Sequence, residues 1–223
     1  MTRPSSAPPS WELWCDHAQY LQFRKDPSFP ALLALARVVN TLRYHFVALL
    51  GCQDDSSPSG TRQRLTSFLF TAATLFEALV LVQRLGKVFK GVPAFDDRLA
   101  LIFKDPTVRE LRDGLLDRFR NQAVYHFQES TFEQALPILD DAPRHVFAAG
   151  QGWRNADVHY GLADLLVYHF AVNDPADNTA FVERFKDMLK KVTAVVLRLN
   201  DDADHLIVDR ITAMGWQRAM SAA

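Results

Sequence analysis

This 223-residue sequence has little cysteine and no excess of charge of either sign. Its two cysteines, Cys15 and Cys52, are too few for a disulfide framework, so we expect reduced thiols in a reducing compartment. Lysine and arginine total 25 against 26 acidic residues, which gives a formal net charge of −1. This balance excludes a global basic field that would hold nucleic acid nonspecifically. A local basic pocket would still suffice for RNA cleavage.

Several common functional motifs are also missing. The sequence has only nine glycines and contains no phosphate-binding glycine loop, H-E-x-x-H, C-x-x-C or G-x-S-x-G. The most apolar run, Leu65 to Val82, is 18 residues long and is interrupted by Glu77, which favours a buried helix over a membrane span. Residues 1–10 lack the apolar stretch of a signal peptide, and we expect them to be disordered. These features predict a cytoplasmic protein with no membrane contact.

Helical periodicity dominates the rest of the chain, and no run alternates as a strand does. The sequence therefore predicts an all-α fold, with residues 11–223 forming a single-domain bundle of five to seven helices. The helix at 61–90 is apolar on nearly all sides and should be the most buried. Helices are predicted at about 11–24, 29–50, 61–90, 107–127, 158–172, 177–200 and 203–219.

Local signals indicate three boundaries. The tetrapeptide from Thr107 to Glu110 has the pattern of a capping box at the start of its helix. The acidic run at 201–204 predicts a solvated turn between the last two helices. A long irregular segment is predicted at about 128–157, where prolines and glycines recur, and a loop of this length is often functional.

One segment carries residues suited to RNA cleavage without a metal. In FRNQAVYHF, Arg120 is followed by Asn121 and, six residues after the arginine, by His126. A histidine can transfer a proton to or from the ribose hydroxyl or the leaving oxygen, and an arginine can neutralise charge that develops on a phosphate. Asn121 can orient a phosphate oxygen. A second Arg-Asn pair with a following histidine, Arg154-Asn155 and His159, lies in the irregular segment.

These residues resemble the motif of the HEPN superfamily, whose four- or five-helix bundles carry R-x(4–6)-H, often with asparagine after the arginine. FRNQAVYHF is similar to the motif helix of the abortive-infection branch, and TAATLFEALVLVQRLGK is similar to the helix that precedes it. The resemblance covers about residues 29–127 and extends towards 200 by helix order.

The resemblance implies that Arg120, Asn121 and His126 are catalytic residues, with Glu77 and Tyr125 in supporting positions. It implies a homodimeric endoribonuclease of a toxin–antitoxin or abortive-infection system, with RNA as substrate, no cofactor, and an antitoxin or other protein as partner. Some family members have lost activity, so a non-catalytic helical module that binds a protein or nucleotide is the alternative.

Two structural alternatives accompany this interpretation. Six residues of a regular helix place the side chains of Arg120 and His126 about 120° apart, so the arginine must curl around, the helix must loosen, or a second chain must complete the site. Arg120 could instead be a surface residue paired with Asp117 or Glu129.

Glu77 has two interpretations as well. It either reaches the motif helix and holds Arg120 or His126, or forms a structural ion pair with Arg84, Arg37 or Arg43, which is the favoured interpretation. In both cases we expect it to be buried and bonded to a basic side chain, because an unpaired carboxylate in an apolar helix is costly.

The tripeptide Tyr-His-Phe occurs three times and raises a metal alternative. Its histidines, His45, His126 and His169, could converge as a three-imidazole site of the kind that binds zinc. No H-x(3)-H pair fixes two of these ligands together, so three independent histidines on helix faces are the favoured interpretation.

Overall fold

The computed structural model describes residues 11–51, 54, 57–124, 129–136, 148–149, 158–159, 163, 166–167, 178–215 and 217–220. The predicted disorder of residues 1–10 lies outside this part of the chain.

The described chain is an all-α helical bundle with two short β-ribbons, so the predicted fold class is confirmed. A strand, β1 (Trp11–Trp14), precedes the helices α1 (His17–Phe23), α2 (Phe29–Gly51), α3 (Pro58–Phe89) and α4 (Pro93–Asp96). A 3₁₀ segment (Leu99–Lys104) leads into α5, a continuous helix over residues 106–124. The chain continues through α6 (Glu129–Ala135), β2 (Ala148–Ala149), β3 (Val158–His159), α7 (Asn178–Ala213) and β4 (Gln217–Met220).

One hydrophobic core joins α2, α3, the 3₁₀ segment, α5 and α7. The helix α3 contributes the most buried side chains among the described helices, as its apolar character predicts. The helix α2 buries a single stripe at helical spacing, Leu32, Leu35, Val39, Leu42, Phe46 and Leu49. The two helices pack along this stripe, which places α3 at the centre of the bundle.

The predicted ends of α2 and α3 agree closely with the structure. The helix α2 ends at Gly51, and α3 begins three residues before the predicted position because Pro58 is pre-set for a first helical turn. Ser57 caps α3 by accepting a hydrogen bond from the Gly60 N–H at 3.0 Å. Beyond α3, Gly91 has φ +89°, a left-handed conformation that glycine adopts without strain.

The ends of the described chain form a ribbon that local periodicity did not predict. Strand β1 pairs antiparallel with β4, with Trp11 opposite Met220 and Trp14 opposite Gln217. The predicted helices at 11–24 and 203–219 are therefore wrong over 11–14 and 217–219. The pairing joins segments about two hundred residues apart in the sequence, so no pattern among neighbouring residues indicates it. Helix α1 starts instead at a capping box formed by Asp16 and Gln19.

The acidic run lies inside a helix, which corrects the predicted turn at 201–204. Helix α7 continues from 178 to 213, because two distant arginines and Arg198, one turn earlier on α7 itself, pair with these carboxylates. Arg98 contacts Asp201 at 2.8 Å and the buried Asp202 at 3.1 Å, and Arg43 pairs with Asp204. With their charges compensated, the aspartates can remain within one helix.

The segment 128–157 is not irregular throughout. Residues 129–135 form α6, because the helix breakers begin only at Pro137, and Ala148–Ala149 form β2. The predicted helix at 158–172 is wrong at its start, where β3 pairs with β2 and His159 lies opposite Ala148. The remainder of the 128–157 prediction lies outside the described residues.

Two of the described helices are long and apolar enough to cross a membrane by composition. Their mean hydropathies are 1.2 over Phe29–Gly51 and 1.9 over Arg62–Phe89, and 56% of the apolar window of the second is buried inside the bundle. A buried core helix meets the same criteria, so this finding is weak evidence for a membrane span.

Candidate functional site

The helix α5 carries the motif, and Asp105 sets its start. The Asp105 side chain accepts a hydrogen bond from the Thr107 N–H at 2.9 Å, and Pro106 occupies the first helical position. This geometry corrects the predicted capping box, in which Thr107 itself was the cap. The sequence Asp-Pro-Thr favours the earlier start, because aspartate is a strong N-cap and proline suits the first turn.

Two side chains of α7 hold the first turns of α5. Arg198 Nη1 lies 3.3 Å from Asp105 Oδ2, and Lys191 Nζ lies 3.1 Å from Glu110 Oε1. Hydrogen bonds to Glu110 and to Asp187 raise the pKa of Lys191 above its ordinary value. The long helix therefore fixes the motif helix by charged contacts as well as by the core.

The motif helix is wound more widely than a regular α-helix. Residues Leu111–Leu116 and Phe119–Val124 are π-helical, and only residues 117–118 between them are α-helical. Such π segments are rare and frequently occur at functional sites. The helix before His126 is therefore loosened, which is one of the three possibilities that the spacing of Arg120 and His126 raises.

Phe119 anchors this wide turn in the core. It is fully buried, and its ring meets that of Phe68 on α3 edge to face, with 5.7 Å between the centroids. The ring of Phe185 on α7 also packs against Phe68, with 5.1 Å between the centroids. The next residue, Arg120, points away from this cluster because consecutive helical side chains diverge.

Arg120 forms an ion pair with Glu77 on α3. The Arg120 Nε–H donates to Glu77 Oε1 at 2.7 Å, and the two side chains are 35% and 36% exposed. The prediction that Glu77 bonds to a basic side chain is confirmed, and its partner lies in the motif helix. The favoured pairing with Arg84, Arg37 or Arg43 is wrong, because Glu77 faces α5. The predicted burial is also wrong, since Glu77 lies at the rim of the helix contact.

Asn121 connects Arg120 to a second carboxylate. Its Oδ1 accepts from Arg120 Nη1 at 2.5 Å, and its Nδ2 donates to Asp117 Oδ1 at 2.7 Å. Arg120 therefore reaches Asp117 through Asn121, in contrast to the direct pairing considered from the sequence. Among the described residues, the other three N–H groups of Arg120 have no hydrogen-bond partner, and they remain able to bind an anion such as a phosphate.

His126 and Tyr125 lie outside the described residues, as do Arg154 and Asn155 of the second pair. His159 of that pair lies in β3, so the second motif is not carried on one helix. The structure therefore brings together Glu77, Arg120 and Asn121 of the predicted site residues. It adds Asp117, which a search for hydrogen-bonding i,i+4 pairs in the motif helix would have found.

Of the three histidines of the predicted metal site, His45 lies in the described part of the chain, and His126 and His169 lie outside it. His45 stacks on Phe70 with 5.3 Å between ring centroids, and burial lowers the pKa of the imidazole below its ordinary value of 6.5. Within the described part of the chain, no group of three or more histidine, cysteine or acidic side chains is arranged to hold a metal ion.

Comparison with known proteins finds no family model, curated protein or solved structure that matches the chain.

Proposed function

We propose that the protein is a HEPN-like, metal-independent endoribonuclease of a toxin or defence system, active as a cytoplasmic homodimer. The observation that supports it best is the state of Arg120. Its side chain is about one-third exposed, its guanidinium is held by Glu77 and Asn121, and within the described chain it keeps three N–H groups without a protein partner. A positioned, accessible guanidinium is suited to the charge of a phosphate in its transition state.

The reaction is a transesterification. The ribose 2′-oxygen attacks the adjacent phosphorus, the bond from phosphorus to the 5′-oxygen breaks, and the products are a 2′,3′-cyclic phosphate and a 5′-hydroxyl. In this proposal His126 moves the proton from the 2′-hydroxyl or to the leaving 5′-oxygen. Arg120 stabilises the charge on the phosphate, and the second Nδ2–H of Asn121 positions one of its oxygens. Glu77 and Tyr125 support these residues.

The decisive experiment incubates the full chain with a mixed set of RNAs in the presence of EDTA. Cleavage should persist with the chelator and should fall by about two to four orders of magnitude in His126→Ala, and by about two to three in Arg120→Ala. Both variants should retain the helical circular dichroism and thermal midpoint of the wild type. RNA with 2′-O-methyl groups should resist cleavage because it lacks the nucleophile.

The second Arg-Asn pair supplies the matched control. Arg154→Ala and His159→Ala should cleave RNA at the wild-type rate. Loss of activity in these variants, with Arg120→Ala unaffected, would assign the site to the other motif. Activity abolished by EDTA would favour the histidine metal site.

The dimer is tested by mixing two inactive variants. If Arg120 of one chain acts with His126 of the other, co-refolded Arg120→Ala and His126→Ala proteins should regain activity, because a mixed dimer contains one intact site. Wild-type protein that leaves all RNAs intact would favour the non-catalytic module that binds a protein, such as an antitoxin, or a nucleotide.

A further inference from the structure

Four side chains form an unbroken hydrogen-bonded chain across α3 and α5. Glu77 accepts from Arg120, Arg120 donates to Asn121, and Asn121 donates to Asp117, with donor–acceptor distances of 2.7, 2.5 and 2.7 Å. Asp117 terminates the chain at the short α-helical step between the two π-helical segments. The sequence motif contains no role for it.

The chemistry of Asp117 sets the orientation of the Asn121 amide. An ionised carboxylate only accepts hydrogen bonds, so Asp117 can bond only to the amide nitrogen of Asn121. That contact turns the amide oxygen of Asn121 towards Arg120, which only donates. With the amide reversed, two donors would face each other at Arg120 and two acceptors at Asp117.

The orientation of the amide in turn fixes the guanidinium plane. Glu77 holds the Nε–H from α3, and Asn121 holds Nη1 from α5 itself. Two contacts at different edges of a planar group define its plane, whereas a single contact allows it to rotate. The plane that contains the N–H groups left unbonded within the described chain is thereby fixed.

We propose that Asp117 is a positioning residue, which acts through Asn121 to hold the Arg120 guanidinium in the orientation that binds the reacting phosphate. This inference rests on the proposed ribonuclease function. Asp117 does not touch the substrate, and its removal should lower kcat more than it changes KM, because misplacing a group that stabilises the transition state costs rate.

The test compares Asp117→Ala with the conservative variant Asp117→Asn. Asp117→Ala should lower kcat about 10- to 100-fold with KM little changed. Asp117→Asn keeps a side-chain oxygen that can accept from Asn121 Nδ2 and leaves Asn121 itself in place, so this variant should retain most of the wild-type rate. Asp113→Asn is the matched control, because Asp113 is an exposed aspartate of the same helix paired with Arg112.

Two outcomes separate this inference from the proposed function. If Arg120→Ala is inactive while Asp117→Ala cleaves as fast as Asp113→Asn, the positioning role is wrong and the ribonuclease stands. If the wild type cleaves no RNA, nitrogen-15 NMR of Arg120 still decides the positioning role. Restricted rotation should resolve its Nη signals in the wild type, and Asp117→Ala should merge them. Unchanged signals in the variant would overturn the inference.

Discussion

The ring of Phe119 meets the ring of Phe68 edge to face at 5.7 Å, one residue before the guanidinium that faces Glu77. The same turn of α5 is therefore bound to the core on one side and open to solvent on the other. Phe119 contributes to the stability of the fold and Arg120 to the proposed chemistry, so substitutions at these neighbouring positions can test the two properties separately.

Phe119→Ala should destabilise the protein by about 3–5 kcal/mol, because it leaves a cavity in a fully packed aromatic cluster. Urea unfolding followed by circular dichroism measures the loss. Phe70→Ala is the matched control, and its side chain is 37% exposed. It should cost roughly 1 kcal/mol, since it removes less buried area. Equal losses in the two variants would contradict the packing described for Phe119.

A double-mutant cycle on Glu77→Gln and Arg120→Gln should give a coupling energy of about 0.2–1 kcal/mol, because the pair is one-third exposed and screened by water. The coupling should fall in about 1 M salt. The more exposed pair of Lys186 and Glu183 serves as the control, with coupling near zero. A coupling that salt does not reduce would show that the Glu77 pair is desolvated.

Asp105→Ala should cost about 0.5–2 kcal/mol, since the variant loses the N-cap of the motif helix together with the contact to Arg198. Asp105→Asn should lose much less, because asparagine is an equally good cap and only the charge disappears. Thermal unfolding of the two variants side by side gives the comparison. If both lose the same stability, the cap contributes nothing.

His45 should make stability depend on pH. Its folded-state pKa lies below 6.5 because burial disfavours the charged imidazole, so the folded protein binds this proton less readily than the unfolded chain does. The contribution of the neutral His45 imidazole to the free energy of unfolding is complete above about pH 6.5 and is lost as the pH falls through the folded-state pKa. His45→Phe should lose less stability than the wild type between about pH 7 and pH 5. An NMR titration of His45 with a midpoint above 6.5 would disprove this.

Two glycine substitutions should have opposite effects. Gly114→Ala should stabilise the protein by about 0.5–1 kcal/mol, because a Cβ there meets no atom within 4 Å and alanine favours helix. Gly91→Ala should destabilise it by about 1–2 kcal/mol, because Gly91 has φ +89°. Thermal midpoints measure both changes. A loss of stability in Gly114→Ala would indicate that the π-helical winding requires glycine.

The periodicity of apolar residues predicted the central helices, because the residues that a helix buries on one face recur at regular short intervals in the sequence. The stripe from Leu32 to Leu49 repeats at helical intervals, and Gly51 marks its end. Asp202 on α7 pairs with Arg198 four residues earlier and with Arg98 about a hundred residues earlier, and local spacing can indicate only the first of these contacts. The pairing of β1 with β4 escaped prediction for the same reason.

At the candidate site, the residue types in the motif predict roles for Arg120 and Asn121, and the structure places these two side chains in contact. The partner of Glu77 depended on which face of α3 meets α5, and this is a property of the packed helices. The sequence predicts Asp117 only as a direct partner of Arg120, because the intervening amide contact depends on side-chain orientation within the loosened helix.

The packing of Phe119 also determines how the chain tolerates a change of length. Deleting one residue between Asp105 and Phe119 would move each following side chain one position back around the helix, so Arg120 would take the place of Phe119 beside the ring of Phe68. An inserted residue would shift the helix in the opposite sense and would likewise turn Phe119 away from this ring. Among natural variants of this sequence, additions and losses of single residues should therefore occur outside this interval.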